Sequence, residues 1–338
     1  MATYRQAGVD LAAADAVVDR IGDAVTATWG DAVVGGFGGF AAGLRLPAGY
    51  RHPVLMMATD GVGTKAEIAR LAGRVEGLGW DLVAMCVDDL AAAGARPVAM
   101  TDYLAVGSID VEVVATLVGS IAAACAAAGV ALLGGETAEH PGVMQADRFD
   151  LAGTALGVVE DGEQIDGSDI APGDVIVGVA SPTLRSNGFS LVRRVVLDRL
   201  ALDDPMPGGE GTVADTLLAP SVIYAPAIVD LVAAHRPTGL AHITGGGLAG
   251  NIVRVLPGGC QAIVDTGCWE PPAVFASVAD LGDVPGDEMF AVFNMGIGFV
   301  VITPSHRAQA SIGALAASGH EATVIGAVVA GERTVRLV

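Results

Sequence analysis

Four carboxylates, one ammonium group and several glycine-rich turns in this 338-residue sequence have the types and spacing that phosphate chemistry needs. Asp60 precedes Gly61-Val62-Gly63-Thr64-Lys65, between the apolar run 54–58 and a helical pattern carrying Ile68 and Leu71. Glycines let backbone N–H groups approach phosphate oxygens, and the positive end of a helix dipole adds to the attraction. Lys65 is the only lysine; the other seventeen basic residues are arginines. A compact ammonium on a flexible stem suits a phosphate oxygen, and a surface lysine kept by chance is the plain alternative. Gly61, Gly63 and Thr64 are therefore expected to bind phosphate. Lys65 and Asp60 are expected to be catalytic, with Asp60 also a metal ligand, since hard cations prefer oxygen.

The remaining acids follow from periodicity. In the helix predicted over 81–93, Leu82, Met85, Cys86 and Asp89 fall at i, i+3, i+4 and i+7, which puts Asp89 on the inward stripe. A carboxylate there is costly unless paired or bound to a metal. Asp88, about 100° round the helix, reaches the same ion from the side or is a solvated acid. Asp102 shares a strand face with Val98, Met100 and Leu104 in 96–106. A strand over 130–133 ends in Gly134-Gly135-Glu136-Thr137. The metal set is thus Asp60, Asp89 and Glu136, while Asp102, Gly135 and Thr137 belong to nucleotide binding. Four such acids in one domain point to Mg²⁺ on a nucleoside triphosphate.

Three further turns carry glycine. Gly35-Gly36-Phe37-Gly38-Gly39-Phe40 offers Gly36, Gly38 and Gly39 to a phosphate or adenine, or forms a hinge. Arg185-Ser186-Asn187-Gly188 suits an anion through backbone N–H groups, or is an ordinary capped turn. His242-Ile243-Thr244-Gly245-Gly246-Gly247 opens a helix, as a phosphate site or a close-packing device.

The elements that position these groups read as mixed α and β. Asp10 caps a helix with Leu11, Ala14, Val17, Val18, Ile21 and Val25 inward, and Asp110 caps one with Val114, Leu117, Val118, Ile121 and Cys125 inward, closed by Gly129. Strands are expected over 151–159 and 174–180, with a final one over 322–329. The polar stretch 160–173 reads as a connector between two domains, 1–165 carrying the nucleotide motifs and 166–338 as an α+β domain. Net charge is −20 without a basic cluster, which argues against a nucleic-acid surface. No apolar run is expected to reach the ~18 residues of a membrane span, and the N-terminal stretch lacks a signal-peptide layout. Cys86, Cys125, Cys260 and Cys268 show no zinc-type pairing and read as reduced core thiols, hence a cytoplasmic protein.

AGVDL at 7–11, GGFGGF at 35–40, TDGVGTK at 59–65, DLVAMCVDDL at 81–90 and GGETAEHPG at 134–142 occur in this order. SNGFSLVR at 186–193, HITGGG at 242–247 and FNMGIG at 293–298 follow. Together these motifs resemble the phosphoribosylformylglycinamidine cyclo-ligase (aminoimidazole ribonucleotide synthetase) family over nearly the whole chain. The resemblance implies two α/β domains, the N-terminal one forming a dimeric β-barrel, so a homodimer is expected. It implies ATP, Mg²⁺ and a ribonucleotide substrate, with no nucleic-acid or membrane partner. ATP activates a formamide oxygen as a phosphate ester, and the substrate's own nitrogen closes the imidazole ring, releasing ADP and phosphate. Arg185, Ser186, Asn187, Gly245 and Gly246 then fall at the substrate. The family usually has His where this chain has Arg185, lysines near the N-terminus and after the Asp102 strand, where this chain has Arg5 and Gly107-Ser108, and a His–Asp pair ahead of DLVAM that is missing from 74–80. Those departures suit a related amide substrate as the alternative. Thiamine-phosphate kinase and selenophosphate synthetase are sibling readings, and a non-catalytic nucleotide-binding subunit is a third.

Overall fold

The computed structural model describes residues 5–209 and 211–338. The N-terminal reading over residues 1–4 lies outside the described residues. Two compact units divide the chain. The first holds the described residues up to Leu90 with Arg96–Asp161 and Pro220–Ile223; the second holds Ala91–Ala95, Gly162–Ala219 and Tyr224–Val338.

In the first unit α1 (Leu11–Thr26) starts where the Asp10 side chain accepts from the Ala12 and Ala13 N–H groups. Its inward residues are Val17 and Val25, while Leu11 and Val18 are exposed, so the buried stripe is narrower than predicted. Short strands β1 (Val33–Val34) and β2 (Gly43–Leu44) pair across the glycine-rich loop. Then come β3 (Pro53–Gly61), α2 (Lys65–Ala72), α3 (Leu78–Ala92), β4 (Arg96–Val106), α4 (Val111–Ala128), β5 (Ala131–Glu139) and β6 (Phe149–Glu160). On α2, Ile68 is buried and Leu71 exposed. Asp110 and Gly129 cap α4 as predicted. Against expectation, α4 is long and apolar enough to cross a membrane. Its buried residues pack toward α1 and β5, and that core role accounts for the composition.

The sheet order is β3-β6-β4-β5, antiparallel except for the parallel β4–β5 pair. Strand β5 does not stop at Gly134 but runs on to Glu139, because the backbone of β4 continues to pair with it. One sheet face packs on α3: a methyl at Gly153 would overlap Met100 and crowd Leu82. The opposite face exposes Leu55, Met57 and Tyr103.

The second unit comprises β7 (Asp174–Ala180), α5 (Phe189–Leu197), α6 (Val213–Leu217), α7 (Ala225–His235), β8 (Gly239–His242) and α8 (Gly247–Val255). It continues with β9 (Cys260–Val264), α9 (Ala273–Gly282), α10 (Gly286–Val292), β10 (Ile297–Pro304), α11 (Ala308–Ala317), β11 (Ala322–Ala330) and β12 (Thr334–Leu337). The sheet order is β12-β9-β11-β7-β10-β8, with only the β12–β9 pair parallel. The expected last strand, β11, is followed by β12, a four-residue strand at the sheet edge. Ile176, Ile243, Leu248, Ile252, Val300 and Ile302 form part of the core between this sheet and α8. Cys86, Cys125 and Cys260 are buried, as read from the sequence, whereas Cys268 is exposed.

Candidate active site

The first unit assembles its acids by register. Asp60, Gly153, Asp102 and Gly135 form one row across β3, β6, β4 and β5. Side chains in one row point to one face, and adjacent strands lie ~4.8 Å apart, so the two acids are separated by about 10 Å of sheet. Gly153 between them leaves room for α3, whose Cys86 Sγ donates to the Gly153 carbonyl at 3.4 Å. One turn further along α3 stand Asp88 and Asp89. Burial pushes the Cys86 thiol up to about 12, and the charges of Asp60, Asp89 and Asp88 all push the same way. Each of the three carboxylates thus lies within electrostatic reach of that thiol.

Two corrections to the helical reading follow. Asp88, read as a side ligand or a solvated acid, is fully buried, and Asp89 on the predicted inward stripe is half-buried. The inward arc of α3 is broad enough to take in nearly every residue from Leu82 to Leu90, which erases the contrast that the spacing relied on. Asp60 Oδ1 accepts from the Gly61 N–H at 2.7 Å, a local bond that fixes the start of the turn.

Lys65 is not at the surface. Its side chain is 1% exposed, and Nζ lies 2.7 Å from Asp81 Oδ2. Asp81 Oδ1 accepts from the Ser221 N–H at 3.0 Å and from its hydroxyl at 2.5 Å. The ammonium that sequence reasoning gave to a phosphate is thus committed to a buried carboxylate, tying α2 to α3 behind the Gly61–Thr64 turn. Gly63 in that turn has φ +68, a conformation glycine adopts freely. Asp81 escaped notice because an acid in a helix's first turn reads as ordinary dipole compensation.

Glu136 separates from Asp60 and Asp89 within the chain. It shares a row with Tyr103, Ala152 and Gly61, so it points to the face opposite Asp60. The cause is the continuation of β5: alternation turns Glu136 outward where a turn would have left it free. Among the described residues no three His, Cys, Asp or Glu side chains form a group that would hold a metal alone.

Most of the remaining nucleotide candidates do meet. Gly36, Gly38, Gly39, Asp102, Gly135, Glu136 and Thr137 line one cavity of about 720 Å³, whose apolar wall is α1. That volume lies within the usual range of small-molecule pockets. Burial raises the Asp102 carboxyl to about 7. A side chain at Gly135 would overlap Asp102 Oδ1, so this glycine also makes room for the acid beside it.

In the second unit three turns come together. Asn187 Nδ2 lies 3.8 Å from where a Cβ on Gly245 would be, which sets 186–188 against 244–247. Helices α5 and α8 begin there, after Gly188 at φ 76 and Gly246 at φ 94, with no side-chain cap at either. The positive end of each helix dipole suits an anion. The 293–298 turn lies beneath both. Asn294 Nδ2 donates to the Thr183 carbonyl at 3.1 Å, the Gly296 carbonyl accepts from Ser181, and that of Gly298 accepts from Ile243. A residue missed in the sequence is Asn251, buried on α8, whose amide donates to the carbonyls of Thr244, Gly245 and Gly247. Its signal was a polar residue on the stripe of Leu248, Ile252 and Val255.

Arg185, expected at the substrate, is fully buried. Its guanidinium lies 5.0 Å from the Tyr224 ring centroid, and Nη2 is 2.9 Å from His242 Nε2. It stands behind the 186–188 turn, at φ 59. Ser186 is buried too, whereas Asn187 is half-buried and Gly245 and Gly246 are exposed.

This two-unit α/β chain is similar to AIR synthase related proteins. The family models for that group's N-terminal and C-terminal domains match residues 41–159 and 171–338. Phosphoribosylformylglycinamidine cyclo-ligase of Myxococcus xanthus is 44% identical over 98% of this chain and 96% of its own. That of Sorangium cellulosum is 48% identical over 97% and 95%. The chain belongs to the phosphoribosylformylglycinamidine cyclo-ligase family. Among solved structures, thiamine-monophosphate kinase from Stenotrophomonas maltophilia superposes with a TM-score of 0.70 at 21% identity over 95% of both chains. The hydrogenase maturation protein HypE in complex with ATP gives 0.66 at 21%, covering 96% of this chain and 89% of that one. These two likenesses speak for the fold.

Proposed function

We propose that this protein converts formylglycinamidine ribonucleotide to aminoimidazole ribonucleotide with ATP and Mg²⁺ in purine biosynthesis. The observation that carries the reading is the 43–48% identity, over nearly full length, to relatives with that activity in their name. In the reaction ATP activates the formamide oxygen, the substrate's nitrogen closes the ring, and ADP and phosphate leave.

The residues fit a triphosphate and its metal. Asp60, Asp88 and Asp89, each within electrostatic reach of Cys86, offer hard oxygens, and Mg²⁺ habitually completes its shell with water and phosphate oxygens rather than an all-protein cage. The Gly61–Thr64 turn leads into α2, whose positive dipole end favours a phosphate. Lys65 acts from behind, holding that turn through Asp81. The cavity bounded by Gly36, Gly38, Gly39, Asp102, Gly135 and Thr137 takes the nucleoside part. Ser186, Asn187, Gly245 and Gly246, at two helix starts, take the ribonucleotide's phosphate. Closing a ring within one molecule asks mainly for a held geometry, so no protein nucleophile is needed.

The exposed sheet face with Leu55 and Met57 supports a homodimer in which a second copy covers it, as apolar sheet faces are seldom left in water. The direct test is incubation of the pure protein with ATP, Mg²⁺ and formylglycinamidine ribonucleotide. Stoichiometric ADP and aminoimidazole ribonucleotide are expected; ATP turnover with a different amide, and none with this one, would move the assignment to the alternative substrate.

A further inference from the structure

The Arg185 side chain links two turns that are 57 residues apart in sequence. Arg185 immediately precedes Ser186, and His242 closes β8 just ahead of the Thr244–Gly247 turn. A guanidinium has only N–H donors and no acceptor. At 2.9 Å from Arg185 Nη2, His242 Nε2 must therefore accept, so it carries no proton and the ring is neutral with its proton on Nδ1. An imidazolium in this place would bring two donors and two positive charges together.

The surroundings hold both partners still. The His242 ring stacks on Phe299 with centroids 6.1 Å apart, and the guanidinium lies over Tyr224. The Tyr224 hydroxyl donates to the Ala180 carbonyl at 2.7 Å. Gly298 leaves the space for that phenol, because a methyl there would overlap the Tyr224 hydroxyl oxygen. With Arg185 and His242 both buried, neither meets a ligand directly.

We propose that Arg185 is a positioning residue, holding His242 as the Nδ1–H imidazole and thereby setting the spacing between the 186–188 and 244–247 turns that receive the substrate's phosphomonoester. The inference rests on the substrate reading above for the identity of the ligand, and on geometry alone for the tautomer. It separates donation of a hydrogen bond from mere filling of space. Arg185→Met keeps the stem and loses the donor, whereas Arg185→Lys keeps an N–H donor long enough to approach His242 Nε2, at the same backbone position and strain.

The first measurement is the nitrogen NMR spectrum of His242 in the unliganded wild-type protein, assigned by loss of its signals in His242→Gln. An unprotonated Nε2 with a protonated Nδ1 is expected; a protonated Nε2 overturns the proposal whatever the enzyme turns over. The second is steady-state kinetics. Arg185→Met should raise KM for formylglycinamidine ribonucleotide about tenfold, equivalent to ~1.4 kcal/mol, with kcat within threefold and KM for ATP unchanged. Arg185→Lys should recover most of that loss and restore the wild-type tautomer. Equal behaviour of the two variants, or an equal rise in KM for ATP, overturns the positioning role. Absence of turnover in the wild type would sink the substrate reading and leave the tautomer result standing.

Discussion

Asp102 and Gly135 lie opposite each other where β4 and β5 run parallel, and a methyl group at Gly135 would overlap Asp102 Oδ1. The glycine is there because the acid is. Gly135→Ala is expected to destabilise the protein by about 1–3 kcal/mol, the usual penalty for overpacking. The double variant Gly135→Ala, Asp102→Ala should regain stability without regaining activity. Thermal unfolding of the three variants reads this directly, and a Gly135→Ala protein as stable as the wild type would contradict the contact.

Asp102 also sets a pH dependence. Its carboxyl is raised from 3.8 to about 7 by burial, so the folded chain holds this proton more tightly than the unfolded one. Stability from this group is present below about pH 4 and is lost as pH rises toward 7. The full difference is at most about 4 kcal/mol at 1.36 kcal/mol per pH unit. Asp102→Asn should flatten the stability profile between pH 4 and 7 in urea unfolding at fixed salt. A profile unchanged by this substitution would place the titration elsewhere.

Lys65 and Asp81 predict an asymmetry. Removing the lysine alone leaves a buried carboxylate without its counter-charge, which typically costs about 3–5 kcal/mol. Lys65→Met should therefore unfold at markedly lower denaturant. The Lys65→Met, Asp81→Leu pair should recover much of that, at the price of the Ser221 contacts. If Lys65→Met is fully stable yet inactive, the ammonium works at the ligand after all.

The three acids near Cys86 predict a metal effect. Asp60→Asn and Asp88→Asn should each raise the Mg²⁺ concentration for half-maximal turnover several-fold, with a smaller rise for half-buried Asp89→Asn. Titrations of Mg²⁺ at saturating ATP check the order. An unchanged midpoint in all three removes them as ligands.

The uncovered sheet face predicts an assembly. Met57 is 71% exposed and Leu55 52%. Met57→Lys should convert a dimer to a monomer in sedimentation velocity, with the secondary structure intact. A dimer unaffected by charge at both positions would put the interface elsewhere.

Much of this was legible from periodicity and caps. Strands β4 and β7 begin and end where alternation put them, and Asp10 and Asp110 cap the helices they were expected to cap. What the one-dimensional pattern could not hold was depth. Asp88 lies deeper than Asp89 because α3 is enclosed on most sides. Glycines 134 and 135 look like strand breakers, yet both are strand residues, and Gly135 makes room for Asp102. Lys65, the most conspicuous residue in the composition, is tethered by an acid sixteen positions on, and no local rule connects the two. Arg185 likewise reads as a ligand contact until its burial and its histidine are seen.

The exposure of Cys268 has a practical side. Burial raises the thiols of Cys86 and Cys125, which keeps them protonated and hidden, so a maleimide dye added to the native protein would attach at Cys268. The next residue, Trp269, donates its indole N–H to the Met295 carbonyl at 2.7 Å, within the turn that underlies both glycine loops. A fluorophore at that thiol would thus sit one residue from the floor of the candidate phosphate cradle and report ligand arrival optically, without any engineered cysteine.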